Sequence, residues 1–253
     1  PAQAYKQASD WVLKPDWSGW GETLLPITLL ALPLLLIGGL LIWKRSALVE
    51  RQKKITKDLG RFRQDSQWHT PRALLFTVLQ RLPGSLFILA AGLLLTDCGL
   101  LSSRLIFQIT LNLALGYLVF SVYLAVMRPG GIAETHFRMP KAELQAKRTS
   151  MRYLWVPLLP LIMLSTKAVV EPSSLGNDVV GQALTLALLG LAAYLVFPIS
   201  RARIKGEASM QQSITAIALA LAPVALIVLV GLGYYYTALK LTGRLIESFY
   251  LII

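Results

Sequence analysis

The chain has little of what a soluble catalytic or disulfide-stapled domain is built from. One cysteine, Cys98, stands alone in 253 residues. That excludes an intrachain disulfide and leaves no second thiol for a zinc site, so Cys98 reads as an interfacial thiol. Two histidines, His69 and His136, lie in charged stretches with no Asp, Glu or Cys cluster at ligand spacing. They read as solvated side chains, and no cofactor is expected. Acidic residues are scarce: 13 Asp and Glu stand against 25 Lys and Arg, a net charge of +12. Charged residues of either sign make up only 15% of the chain, low for a soluble domain. A Gly-rich phosphate loop is missing too. Pro129-Gly130-Gly131 lacks the following Lys-Ser/Thr and reads as a turn after a helix. No enzyme site emerges.

Hydrophobic runs are abundant instead. Apolar residues make up 55% of the chain, and the mean hydropathy is +0.58. The first run, 24–43, has 20 residues and no charge. A helix rises about 1.5 Å per residue, so such a run covers the roughly 30 Å hydrocarbon core. Similar runs occur at 105–127, 153–170, 181–199 and 214–236, a shorter one lies near 82–96, and a seventh is under way at Ile253. They are continuous rather than alternating, which selects helices over barrel strands. The expected fold is all-α: a polytopic transmembrane helical bundle of six full spans plus the start of a seventh. The chain starts at Pro1 and stops inside an apolar run, so it is expected to be part of a longer protein. Residues 16–22 are acidic, and the first run is too long for a signal-peptide core.

Positive charge falls on alternate loops. Segments 44–72, 128–152 and 200–213 hold 18 of the 25 basic residues. The positive-inside rule makes these loops cytoplasmic and the N-terminus periplasmic. Topology accounts for the net charge, so no nucleic-acid partner is expected; the lipid bilayer is.

Residues 1–23 read as an interfacial lead-in. Trp11, Trp17 and Trp20 fit the headgroup level, the alternative being a ligand-stacking site. After the first run, Leu48, Ile55, Leu59 and Phe62 put one apolar stripe on a basic helix. That helix lies at the interface, packs on a partner helix or is a solvated connector. Lys53, Lys54, Lys57, Arg61 and Arg63 are its candidate headgroup contacts. In the second run, Arg81, Pro83 and Gly84 interrupt the apolar pattern. Either Arg81 snorkels from one long helix, or a short interfacial helix turns at Pro83 into a tilted span. The second reading makes Pro83 and Gly84 a hinge, with Asp97 near the outer boundary. Gln108 and Asn112, four apart in the third run, share a face that should meet another helix. Structural glue is the plainer role for them, a part in gating the alternative. In the sixth run, Ala216, Ala218, Ala220 and Ala222 form small-xxx-small pairs for close helix approach. Pro223 should kink that helix, and Tyr234, Tyr235 and Tyr236 should form an outer aromatic belt. Ion-coupled transporters bury ionisable groups at mid-bilayer. Spans one, three, five and six have none, and Lys167 with Glu171 lies near an outer helix end, where a local pair or snorkelling suffices.

Three motifs carry a family resemblance. The first is His69-Thr70-Pro71-Arg72-Ala73-Leu74-Leu75 leading to Leu82-Pro83-Gly84. The second is Arg128-Pro129-Gly130-Gly131-Ile132-Ala133-Glu134 leading to His136-Phe137-Arg138. The third is Gly233-Tyr234-Tyr235-Tyr236-Thr237-Ala238 with Thr242-Gly243-Arg244-Leu245. Together they resemble the inner-membrane region of large mechanosensitive channels of the MscS superfamily, of the MscK or MscM type. Met139 departs from the pattern, standing where the family is expected to carry Trp. The resemblance implies a homoheptamer in a bacterial inner membrane that opens under tension and releases ions and small solutes on hypo-osmotic shock. It further implies that the pore helix and a cytoplasmic vestibule lie outside this segment, and that residues 24–253 form a tension-sensing paddle around the pore. A solute transporter module and a membrane anchor for a periplasmic domain are the rival readings.

Overall fold

A computed structural model describes residues 20–58, 69–96, 101–135, 139–176, 178–205 and 210–252. Among the described residues there are nine α-helices, one 3-10 turn at Pro172–Leu175 and no strand. Six helices house the apolar runs: α1 (Trp20–Trp43), α3 (His69–Leu95), α4 (Ser103–Val126), α6 (Lys141–Val170), α7 (Val179–Lys205) and α8 (Met210–Gly231). The basic segment forms α2 (Arg45–Asp58), a short α5 (Ile132–Thr135) precedes α6, and α9 (Tyr235–Ile252) follows α8. Of these, α3, α4, α6 and the 179–197 part of α7 are long and apolar enough to cross a bilayer. A fifth candidate is α1 with α2, bent by 54°, while the apolar part of α8, Ile217–Gly231, is shorter. The all-helical membrane architecture is therefore plain, with four to five spans by length and composition.

The chain divides into two compact units, Asp16–Met151 and Arg152–Ile252, with the boundary inside α6. In the first unit α3 is the central helix: α1 packs along it, α4 packs along it, and α2 lies against it. Small residues make this possible. Ala73, Thr77, Ser85 and Ala90 are buried on α3. A Cβ at Gly84 would strike the Tyr117 ring, and one at Gly92 would strike Thr110. These two contacts fix an antiparallel register between α3 and α4. On the side toward α1, a Cβ at Gly38 would come 3.1 Å from the Phe87 ring.

The expected turn at Pro83 is not formed. Helix α3 runs through Pro83 without a break. Pro83 is buried, and helices packed along α3 hold its course where one backbone hydrogen bond is missing.

In the second unit α7 and α8 pack as a pair. Thr185, Leu189, Ala192 and Val196 form the buried stripe of α7, at the four-and-three spacing of a helix face. The apolar run 214–236 is cut at Gly233, whose φ of +88° favours glycine. Helix α9 therefore starts afresh and is amphipathic. Tyr235, Ala238, Leu239, Thr242 and Ile246 are buried on it, while Leu241 and Leu245 are exposed.

Hydroxyls buried on these helices bond within their own helix. Thr77, Thr110, Thr166, Thr185 and Thr242 each donate to the carbonyl four residues back, at 2.7–2.9 Å. An apolar helix thereby carries a hydroxyl without leaving it unsatisfied.

Candidate lipid-facing site

The basic end of the first unit is built where the first apolar run stops. Backbone bonds continue through Lys44, from its N–H to the Leu40 carbonyl at 2.9 Å, yet α2 leaves at 54°. The Lys44 ammonium lies 5.3 Å from the centre of the exposed Trp43 ring, a cation–π contact typical of the headgroup level. Gln52 then ties α2 to α3. Its amide N–H donates to the Thr77 hydroxyl at 2.8 Å, and its carbonyl accepts from the Gln80 amide at 2.7 Å. Helix α2 thus packs on a neighbouring helix, one of the sequence readings for this basic segment. Lys53, Lys54 and Lys57 ride on α2, but their side chains, like that of Ile55, lie outside the described residues. So do Arg61, Arg63, Leu59 and Phe62, as well as Trp11, Trp17, Asp97, Cys98 and His136.

Arg81 projects from the continuous α3 and is half-buried. The register that sets Gly84 against Tyr117 puts Arg81 opposite about residue 120, roughly two helical turns short of Arg128. Arg81 thus stands on one long helix, as the first of the two sequence readings has it.

The Pro129–Gly131 turn is formed as expected. Gly130 has φ +73°, and its N–H donates to the Glu134 carboxylate at 2.7 Å. Glu134 also pairs with Lys141 at 3.6 Å. Helix α6 begins at Lys141, well before the apolar run that announces it.

A second polar cluster lies in the second unit. Lys167 pairs with Asp178 at 3.2 Å, and the two side chains are 19% and 4% exposed. Asp178 precedes α7 and accepts from the Gly181 N–H at 2.8 Å, so it caps the helix while holding the ammonium. Gly181 leaves room here: a Cβ would come 2.6 Å from the buried Tyr235 hydroxyl. Sequence proximity pointed to Glu171 as the local partner of Lys167. Helix α6 ends at Val170, and the turn at Pro172–Leu175 brings Asp178 back to Lys167. The signal was present, since Asp178 stands three residues before a glycine that opens an apolar run. The tyrosine belt forms in part, with Tyr234 and Tyr236 exposed and Tyr235 buried.

Gln108 and Asn112 are both half-buried on α4. On α8, Pro223, Leu226 and Val230 are buried, Ala220 and Ala222 are half-buried and Ala218 is exposed; the Ala216 side chain lies outside the described residues. Helix α8 continues through Pro223. Among the described residues no three His, Cys, Asp or Glu come together as a metal site.

The largest feature is apolar surface. Leu29, Leu32 and Leu36 on α1, Phe107, Leu111 and Leu115 on α4, and Ile217, Leu221, Val224 and Val228 on α8 are all exposed. Each set repeats at helical spacing, so each is a stripe. In the most apolar stretch of each candidate span, only 22% is buried on α3, 17% on α4, 39% on α6 and 28% on α7. Such area, exposed in water, marks a membrane or protein contact. Residues 28–253 match the family described as "Mechanosensitive ion channel inner membrane domain 1". The chain belongs to the MscS family of mechanosensitive channels. It is 38% identical over 226 residues to the mechanosensitive channel MscK of Escherichia coli (strain K12), covering 89% of this chain and 20% of that protein. It is 31% identical over 224 residues to an uncharacterised MscS family protein of Haemophilus influenzae (strain ATCC 51907 / DSM 11121 / KW20 / Rd), covering 86% of this chain and 20% of the relative. The chain thus spans about a fifth of these relatives. The MscS family is one of channels rather than enzymes, and the membrane region it assigns here is the one whose apolar stripes the structure displays.

Proposed function

We propose that this chain is the lipid-facing, tension-responsive part of a mechanosensitive channel, arranged around a pore that another part of the protein supplies. The shallow burial of its spans carries the reading. Helices that bury so little among themselves present most of their surface to lipid or to neighbouring subunits. Their apolar lengths are also unequal. After Arg81, α3 has 14 residues to Leu95, about 21 Å, whereas after Arg104 α4 has 22 residues to Val126, about 33 Å. Mismatch with the bilayer costs fractions of a kcal/mol per Å, so thinning under tension acts differently on the two. Only such differential interaction shifts a closed–open equilibrium. In this reading the six apolar runs are full spans and the N-terminus is periplasmic. The basic segments 44–72, 128–152 and 200–213 face the cytoplasm of a bacterial cell, and the protein sits in its inner membrane. The family resemblance supports a homoheptamer that releases ions and small solutes on hypo-osmotic shock.

The test is patch-clamp recording of the full channel in reconstituted bilayers. Replacing Lys53, Lys54 and Lys57 with Gln should shift the tension threshold and leave single-channel conductance unchanged, because the pore lies elsewhere. An altered conductance at an unchanged threshold would put α2 on the ion path and overturn the proposal.

A further inference from the structure

Helix α8 has no charged residue. Helix α9, which follows it, has Lys240, Arg244 and Glu247. It begins beside the polar turn, where a Cβ at Gly181 would come 2.6 Å from the Tyr235 hydroxyl. Eight residues on, a Cβ at Gly243 would meet the Ser165 Cβ at 3.3 Å. Ser165 is buried on α6, five residues before that helix ends at Val170, and so about 7 Å inside its apolar run. Helix α9 therefore descends along the second unit instead of lying flat at its outer edge. Its buried side continues downward through Thr242 and Ile246.

The other side is polar. Thr237, Lys240, Arg244, Glu247 and Ser248 are exposed along it. The Lys240 ammonium turns back toward the helix start, 5.2 Å from the centre of the Tyr236 ring, as a snorkelling lysine does. Arg244 does the opposite. It reaches forward and deeper to Glu247 at 2.7 Å, and the two side chains are 76% and 61% exposed. Charged groups at such depth face protein or a water-filled cavity, because hydrocarbon solvates them poorly. The make-up of the face separates these two surroundings. Membrane helices pack closely through small residues, and α9 turns its own, Ala238, Thr242 and Gly243, to the buried side. Its outer side carries long charged chains, with a shallow groove of about 180 Å³ among Tyr236, Thr237, Lys240, Leu241 and Arg244. Water suits such a face better than a packed helix does.

We infer that the outer face of α9, from Thr237 to Ser248, lines a water-filled cleft that enters the bilayer from the periplasmic side. The periplasmic opening rests on the topology proposed above. The rest of the cleft wall comes from parts of the channel outside this chain.

The test uses the full channel in a cysteine-free background. Single cysteines replace Thr237 and Ser248 on the face, Leu245 as a second deep position, and Leu221 and Val224 on the exposed apolar stripe of α8 as controls. Spheroplasts are treated from outside with a membrane-impermeant thiosulfonate. The thiolate is the reacting form, and burial in hydrocarbon keeps a thiol protonated. Ser248→Cys should react within about tenfold of the rate of Thr237→Cys, and Leu221→Cys and Val224→Cys about a hundredfold more slowly. A Ser165→Cys, Gly243→Cys pair should close a disulfide on mild oxidation, since its Cβ positions lie within bonding reach. Failure to close it overturns the descent of α9. Ser248→Cys and Leu245→Cys inert to the thiosulfonate but open to a lipid-soluble maleimide would place the face in lipid. Inertness to both would place it against protein, and either result overturns the cleft. Labelling of Ser248→Cys from the cytoplasmic side alone overturns the periplasmic opening and the topology with it. Tension-activated currents from the same variants keep the two ideas apart. Tension gating with an unlabelled face refutes the cleft alone. A labelled face in a channel indifferent to tension refutes the tension-responsive role alone.

Discussion

Replacing Asp178 tests whether the Lys167 pair holds the turn between α6 and α7. Asp178 is 4% exposed and does two things: it accepts the Gly181 N–H at 2.8 Å and holds the Lys167 ammonium at 3.2 Å. Losing an N-cap costs about 1 kcal/mol. Removing one partner of a buried ion pair costs about 3–5 kcal/mol, since the remaining charge is uncompensated. Lys167 keeps 19% exposure and a long stem with which to reach water, so the low end, about 3 kcal/mol, applies. Asp178→Ala loses both contributions, about 4 kcal/mol in all. Asp178→Asn keeps the cap oxygen and loses the charge, for about 3 kcal/mol. The double variant Lys167→Met with Asp178→Asn strands no charge and should return to within about 1 kcal/mol of the parent. Denaturant unfolding of the purified protein in detergent, followed by circular dichroism, measures all three. Single variants within about 0.5 kcal/mol of the parent would mean that Lys167 is already paired with water. A double variant no better than Asp178→Asn would show that the loss does not act through Lys167.

Gly92→Ala should destabilise the α3–α4 contact by about 1–3 kcal/mol, because the new methyl meets the body of Thr110. Gly84→Ala should cost less, since the ring end of Tyr117 can turn away; equal losses in thermal unfolding would contradict this register. Cysteines placed at exposed positions in 44–72 and 128–152 should resist a membrane-impermeant thiol reagent in intact spheroplasts. Labelling from the periplasmic side would reverse the topology. Ala218→Leu should weaken subunit association if the small-residue face of α8 meets another helix in the assembly. Unchanged oligomer stability on detergent titration would assign that face to lipid.

The apolar runs made the helices legible, because a backbone in hydrocarbon has few other ways to satisfy itself. The turn at Pro129–Gly131 was legible for a similar reason: Gly130 adopts a conformation that other residues resist. Misreadings arose where packing overrules local pattern. Pro83 looked like a break, but α3, with helices packed along it, continues through it. Residues 141–152 looked like a charged loop, yet Ala, Glu, Leu, Gln, Lys and Arg are strong helix formers, and Glu143 pairs with Lys147 one turn on. The run 214–236 looked continuous because glycine is apolar enough to hide a stop, and Gly233 ends it. Of the polar contacts, those between residues distant in sequence were invisible. Gln52 and Thr77 are 25 apart, and nothing in either neighbourhood names the other.

The internal hydroxyl bonds have a consequence for biogenesis. A translocon delivers helices to lipid one or two at a time, before their partners exist. A threonine that donates to its own helix, as Thr110 does to Ile106 and Thr185 to Gly181, enters hydrocarbon already satisfied and needs no later helix to rescue it. Asp178 and Lys167 differ, for they lie on opposite sides of one short turn. They can find each other as soon as α7 emerges, neutralising the hairpin before it is released into the bilayer.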